Sequence, residues 1–336
     1  MATTPEFAVG HYQWRAELAE ATAQVAAQAW SQVETAAIAQ SWALLVQPLS
    51  FVVAGAQYAA AQAADAYVDT AAAYGGMSAL AEGAVSAAAL AGIASDGRDL
   101  VSLLFQAAIS ALGALRIGVD ERMAMATGLA TLEMITRTQV ADAGRVADQV
   151  ALTARPGLDG YVRMVVGKTC SRCVVLAGRW YRWNAGFDRH PRCDCIHIPA
   201  QESDSDDLSV DPMAFFRSLS KKEQDQVFTK AGAEAIRDGA DIFRVVNARR
   251  GAVGLTPAGG GRRTLEERAA ARFGRERGRL TRTNVFGRQH FTTFEAITLP
   301  GIRKRRIRLM PESIYELANG NRGEAIRLLK AHGYIL

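Results

Sequence analysis

The period of the apolar positions changes near Gly160. From His11 to about Val46, Ala, Leu, Gln and Glu follow one another with no internal Gly or Pro, which predicts a long helix. Pro48 suits the first turn of a second helix, running to about Tyr74 before Gly75-Gly76 stops it. Shorter helical patterns follow at about Met77 to Ile93 and Gly97 to Leu115, with Ser95-Asp96-Gly97 as break and cap. A long helix then opens on Val119-Asp120-Glu121, whose acids suit the positive end of the helix dipole. It runs to Ala154 before Pro156-Gly157, a length on the order of 50 Å at 1.5 Å per residue. Alanine at so many contact positions predicts close-packed rods, a structural bundle rather than a catalytic scaffold.

After Gly160 the period falls to two. Tyr161 to Val166, Arg179 to Trp183 and Cys195 to Ile198 read as short strands, the last closed by Pro199. Residues 201 to 209 form an acidic linker, and Ser220-Lys-Lys-Glu223 is a capping box opening a helix that Gly239 can end. Asp241 to Arg249 reads as another short helix. Thr264-Leu-Glu-Glu267 caps a further one beyond the loop of Pro257 and Gly259 to Gly261. Pro311 to Ala318 and Glu324 to Lys330 form a terminal helical pair around Asn319-Gly320.

The expected organisation is therefore an Ala-rich helical domain at 1–156, a Cys/His module at 157–200, a linker with short helices at 201–263, and a basic helical tail with the terminal pair at 264–336. The fold class is mainly α, with a small α+β module of short β-hairpins that resembles a zinc knuckle.

Charge divides the chain more sharply than its net +5 indicates. Residues 1–150 hold fourteen acids and six basic residues, whereas residues 249–308 hold sixteen basic residues and four acids. Thr35 to Ala64 carries no charge and is long enough to span a bilayer. Pro48, the recurring glutamines and its dependence on alanine predict a buried bundle helix instead. The first residues contain no basic segment leading into an apolar one, so a secretory signal is not predicted and a reducing intracellular setting is expected.

That setting bears on the cysteines. All four fall within Cys170-Ser-Arg-Cys173 and His190-Pro-Arg-Cys193-Asp-Cys195. A Cys-x-x-Cys turn brings two thiolates to one side, and residues two apart on a strand share a face. Cys170, Cys173, His190, Cys193 and Cys195 are thus five candidates for the four places of a structural Zn²⁺ site. Disulfides formed in a particle that matures outside the cytosol, or reduced cysteines packing as small hydrophobes, are the alternatives. The deaminase pattern needs a His-x-Glu, and the metalloprotease pattern a His-Glu-x-x-His; neither is in the sequence. A nucleophile elbow and a phosphate-cradling loop are lacking as well. A Cys170/His190 or Cys173/His197 dyad is the local catalytic alternative.

The order Cys170-x-x-Cys173, Leu176-x-Gly178, His190-Pro-x-Cys193-x-Cys195 and a strand ending at Pro199 resembles the signature of the phage Mu F-protein family of minor head, or head morphogenesis, proteins. Ile135-Thr-Arg-Thr138 resembles the segment preceding the knuckle in that family, so the likeness covers about residues 120 to 200. Asp194 stands where the family usually carries Arg. The closing segment, Asn321 to Ile335, is similar to the C-terminal part of such proteins in actinobacteriophages. The resemblance implies a structural minor capsid protein that associates with the portal and other procapsid proteins. It would be found in the virion, in the capsid interior or portal region, after assembly in the host cytoplasm. Capsid maturation protease is the alternative function, and an internal DNA-binding protein delivered with the genome is a second.

In the basic half, Arg272, Arg275, Arg277 and Arg279 precede Phe286, Phe291 and Phe294, and the run Arg303-Lys304-Arg305-Arg306 follows. Arginines interleaved with aromatics can hold phosphates while rings stack on bases, so these eight basic residues are candidates for contact with packaged DNA. A basic tail docked on an acidic protein face is the competing reading. No groove-reading module is recognisable, and any binding should be salt-dependent and blind to sequence.

Overall fold

The computed structural model describes residues 4–77, 80–166, 169–185, 195–203, 208, 210–246, 283–285, 288–290, 292–299 and 302–336. It is mainly helical, with a small three-stranded antiparallel sheet. The helices of the first half are α1 (Glu6–Trp30), α2 (Ile38–Gln62), α3 (Ala64–Tyr74), α4 (Leu100–Leu104), α5 (Gln106–Arg116) and α6 (Glu121–Thr153).

The predicted helix from His11 to Val46 is two helices. The chain turns between Trp30 and Ile38 with neither Gly nor Pro to signal it, and Glu34 donates its N–H to Ser41 Oγ at 3.1 Å. What holds the turn is tertiary: Trp30 and Trp42, on either side of it, pack edge to face with ring centroids 5.1 Å apart. Pro48 lies inside α2, not at its start. It is exposed, so water can satisfy the carbonyl it leaves unbonded. The helix expected at Met77 to Ile93 does not form. In that stretch Gly83 and Gly92 take positive φ and Val85 bridges to Ile335, leaving one 3₁₀ turn at Ala87–Ala89.

Helix α6 is the axis of the molecule. Asp120 caps its start by accepting from Met123 N–H at 3.0 Å, and α1, α2, α3 and α5 pack around it. From Ala143 to Thr153 it is buried on every face, although that stretch includes Arg145, Asp148 and Gln149. Small residues permit the crowding. A Cβ on Gly128 would meet the Trp30 ring, and one on Gly144 would lie 2.8 Å from the Arg15 side chain.

The sheet follows directly. Strands β1 (Gly160–Val165), β2 (Arg179–Arg182) and β3 (Cys195–Ala200) lie in the order β2-β1-β3, with Tyr161 opposite both Tyr181 and Pro199. Helix α7 (Ser171–Leu176) fills part of the connection between β1 and β2. Then come α8 (Pro212–Ser218), α9 (Lys221–Phe228) and α10 (Lys230–Arg237), which pack with Val174 and Val175 of α7 in a small separate core. The capping box at Ser220 and Glu223 forms as expected, but Thr229, at φ 63°, breaks the predicted helix in two.

The expected helical character of the basic region is corrected where the structure describes it. Residues Thr283–Val285 (β4), Arg288–His290 (β5), Thr292–Leu299 (β6) and Ile302–Leu309 (β7) form two antiparallel hairpins, β4 with β5 and β6 with β7. Alternating Thr, Phe and Ile on one side of Pro300-Gly301 suit a ribbon better than a helix. The helix expected from Thr264 lies outside the described residues. The terminal pair forms as predicted, as α11 (Pro311–Ala318) and α12 (Arg322–Ala331), with Asn319 in the left-handed region between them. Ile314, Ile326 and Leu329 enter the same core as Tyr161, Val150 and Leu152, so the chain's end packs against its first half.

Candidate functional site

Three of the four cysteines meet at one end of the sheet. Cys170 immediately precedes α7 and Cys173 lies within it, while Cys195 begins β3 opposite Val165. Their sulfurs are close: Cys170 Sγ to Cys173 Sγ is 3.6 Å and Cys173 Sγ to Cys195 Sγ is 3.4 Å. Cys173 and Cys195, 22 positions apart and from the two halves of the motif, therefore lie side by side. His190 and Cys193 lie outside the described residues. Among the described residues alone, no group of three or more His, Cys, Asp or Glu side chains completes a metal site.

A residue that sequence reasoning passed over sits against these sulfurs. Arg163, in the middle of β1 and 1% exposed, donates from Nε and Nη2 to Cys195 Sγ at 3.2 and 3.0 Å, and from Nη2 to Cys173 Sγ at 3.5 Å. A guanidinium taken out of water needs accepting partners, and the Cys195 sulfur serves as one here. The signal was available as a lone charged residue inside the apolar run Tyr161 to Val166. Behind the site, Arg145 Nε donates to the Cys195 carbonyl at 2.9 Å, which ties α6 to β3.

A second buried polar cluster lies between the bundle and the sheet. Arg15 of α1 donates to Asp148 Oδ2 at 2.6 Å, and His11 Nε2 is 3.3 Å from Asp148 Oδ1. His11 stacks on Tyr67 with ring centroids 3.9 Å apart, and the Tyr67 hydroxyl donates to the His197 carbonyl at 2.6 Å. Burial pushes the Asp148 carboxyl up, but Arg15, His11 and His197 outweigh it and hold the group at about 2. Burial lowers His11 against the pull of Asp148, and raises Tyr67 above the ordinary phenol range. His11 is thus a buried partner in this cluster. The arrangement joins four elements, and all its members are committed to one another.

The candidate nucleic-acid residues divide. Arg272, Arg275, Arg277 and Arg279 lie outside the described residues. Arg303, Lys304, Arg305 and Arg306 occupy consecutive positions on β7, in register with Thr298, Ile297, Ala296 and Glu295 of β6.

Compared with known protein families, residues 4–221 match the model of the VG15 protein family. That stretch holds the whole helical bundle, the sheet and the thiol cluster, and ends as α9 begins. The chain belongs to the VG15 family. VG15 is a phage protein family, so the expectation of phage origin stands in that coarser form. No curated protein and no solved structure matches the chain. In VG15 terms, α10, the basic hairpins and the terminal helical pair all lie C-terminal to the matched region.

Proposed function

We propose that this VG15 protein is a minor capsid, or head morphogenesis, protein of a tailed phage, similar in role to the Mu F-protein family and structural rather than catalytic. The observation that carries the reading is the meeting of Cys170, Cys173 and Cys195, because the order of those residues is what the resemblance rests on. In this reading the chain associates with the portal and other procapsid proteins and stays in the virion. The outer side of α2 supports such an association. Leu44 is 78% exposed and Phe51 68%, and Val52 and Tyr58 are also exposed, on a stretch without charge.

In this reading the thiols are ligands of a structural zinc ion. The Cys170–Cys173 and Cys173–Cys195 separations, 3.6 and 3.4 Å, lie somewhat below the about 3.8 Å between thiolate ligands around tetrahedral zinc, so binding would draw the sulfurs slightly apart. Cys170, Cys173 and Cys195 would supply three donors, and either His190 or Cys193 the fourth. Bound zinc would clamp α7 to β3 without taking part in any reaction. Arg163 would offset the negative charge gathered on the sulfurs and orient Cys195.

Metal analysis of the protein purified under reducing conditions is expected to give about one zinc per chain. Less than roughly a tenth of an equivalent removes the metal from the reading. Mass spectrometry of purified procapsids is expected to find the chain in few copies with the portal. Its absence from particles sinks the head-protein role. Cleavage of the phage's major capsid protein on co-expression, lost on replacing Cys170 or Cys173, would replace this function with that of a maturation protease.

A further inference from the structure

The β6–β7 hairpin combines length, register and charge in a way that neither the bundle nor the thiol cluster uses. Its eight cross-strand pairs run from Thr292 opposite Leu309 to Leu299 opposite Ile302. Eight residues of strand extend about 27 Å, roughly the rise of eight base pairs. Five of the eight residues of β7 are basic, and β6 contributes one acid, Glu295, in register with Arg306. Strand alternation divides the basic residues between the two faces. Arg303 and Arg305 share one, with Ala296 and Thr298 beside them in register, while Lys304, Arg306 and Arg308 share the other.

The hairpin is also fastened at its base. Leu309 and Met310 are buried, Leu309 donates its N–H to His332 Nδ1 at 3.2 Å, and α11 begins immediately after. β7 therefore leads straight out of the folded core.

We infer that the β6–β7 hairpin is a two-stranded ribbon that binds duplex DNA, lying in the major groove with phosphates on both sides. The division of charge decides between the two possible partners. A flat acidic protein surface meets one face of a ribbon and leaves the basic residues of the other without counter-charge. The major groove, about 12 Å wide, admits a two-stranded ribbon with one face toward the base-edge acceptors and the other at the groove mouth between the phosphate ridges, so basic positions on both faces meet negative potential. Binding of this kind reads charge and groove shape, not sequence. The inference takes packaged DNA as the available duplex from the phage reading, but it does not depend on the zinc site.

The test uses the full chain, a mixed-sequence duplex of about 30 base pairs, and fluorescence anisotropy across a salt series. Two charge-removing variants address the faces separately, Arg303→Gln with Arg305→Gln, and Lys304→Gln with Arg306→Gln and Arg308→Gln. Both are expected to bind more weakly, and the slope of log affinity against log salt should flatten by about 2 in the first and about 3 in the second. Glu295→Gln is expected to tighten binding and steepen nothing. Unaltered circular dichroism separates these effects from misfolding. A variant of one face that binds as the parent does shows a ribbon docked flat and overturns the proposal. So does tighter binding to poly-glutamate than to duplex, which assigns the hairpin to an acidic protein instead. The same titration after metal chelation separates the two readings: affinity that persists there leaves the ribbon standing even if the zinc site fails.

Discussion

Arg15 and Asp148 form a fully buried ion pair, 2.6 Å from nitrogen to oxygen, between the first helix and the central one. The pair sets how the fold responds to acid. Asp148 is held at about 2 against an ordinary 3.8, so its contribution is complete above about pH 4 and is lost as the pH falls through 2. A shift of that size corresponds to about 2 kcal/mol. His11 adds an earlier step. Because its folded-state value is lowered from 6.5, the unfolded chain takes up a proton first, and stability begins to fall as the pH drops through 6.5. Urea unfolding followed between pH 8 and 2 is expected to show a shallow decline from near 6.5 and a steeper one below about 4. Asp148→Asn should remove the lower step and cost about 3 to 5 kcal/mol, because Arg15 is left buried without its counter-charge. An acid limb unchanged by the substitution would show that the pair does not govern it.

The approach of α1 to α6 depends on Gly128. The Trp30 indole lies where a side chain there would be, and its Nε1–H is anchored to the Met125 carbonyl at 3.0 Å. Gly128→Ala gains helix propensity of about 1 kcal/mol, yet it must displace a ring that packs against Trp42 on its other side. A net loss of about 1 to 3 kcal/mol is expected in thermal or urea unfolding. Gly113→Ala, at a helical position with open space around it, is the control and should be neutral or stabilising. Equal behaviour of the two variants would mean that the Trp30 contact is not tight.

These two positions show what was legible in the sequence. The three strands of the sheet and the terminal helical pair could be read, because Gly, Pro and Asn punctuate them and their periods are clean. The turn after Trp30 could not, since it has no breaker and is held by Trp42 from the next helix. The thiol cluster was visible from the spacing of Cys170, Cys173 and Cys195. Arg163 was not, because a single charge in an apolar strand signals burial without naming its partner. Asp148 and Arg15 stand 133 positions apart, and only the packing of α1 on α6 brings them together. The hairpins at 283–309 were obscured by their arginines, whose run over most of β7 hides the period of two and left the region to be read as a helical tail.

Arg322 closes the open end of the central helix. It donates to the carbonyls of Leu152, Thr153, Arg155, Pro156 and Leu158 at 2.7 to 3.1 Å, and its guanidinium lies 5.1 Å from the Trp183 ring centroid. Burial lowers it to about 10, so it remains a cation at neutral pH. Helix ends leave carbonyls unbonded, and here one side chain from the far end of the chain satisfies them. Arg322→Met keeps the aliphatic packing and removes the donors. The expected cost is about 2 to 4 kcal/mol, together with faster amide exchange across α11 and α12. Exchange confined to its parental level in those helices would assign their attachment to Ile314, Ile326 and Leu329 alone.

The outer face of α2 should behave differently from all of these positions. Leu44 and Phe51 are seven residues apart, both are mostly exposed, and Val46, Leu49 and Val53 on the other side of the helix are buried in the bundle core. Replacing Leu44 and Phe51 together with Gln removes exposed apolar area without opening a cavity, so stability is expected to stay within about 0.5 kcal/mol of the parent. If this face is where another procapsid protein packs, the double variant should fold, retain the parent's melting temperature and fail to enter particles. Leu49→Ala supplies the opposite pattern: it is buried, should cost about 2 to 5 kcal/mol, and should lower incorporation only in proportion to the folded fraction. Quantifying each variant in purified procapsids separates the two cases. Normal incorporation of the double variant would remove α2 from the assembly surface and leave its apolar side chains as scattered exposure of the kind any folded surface carries.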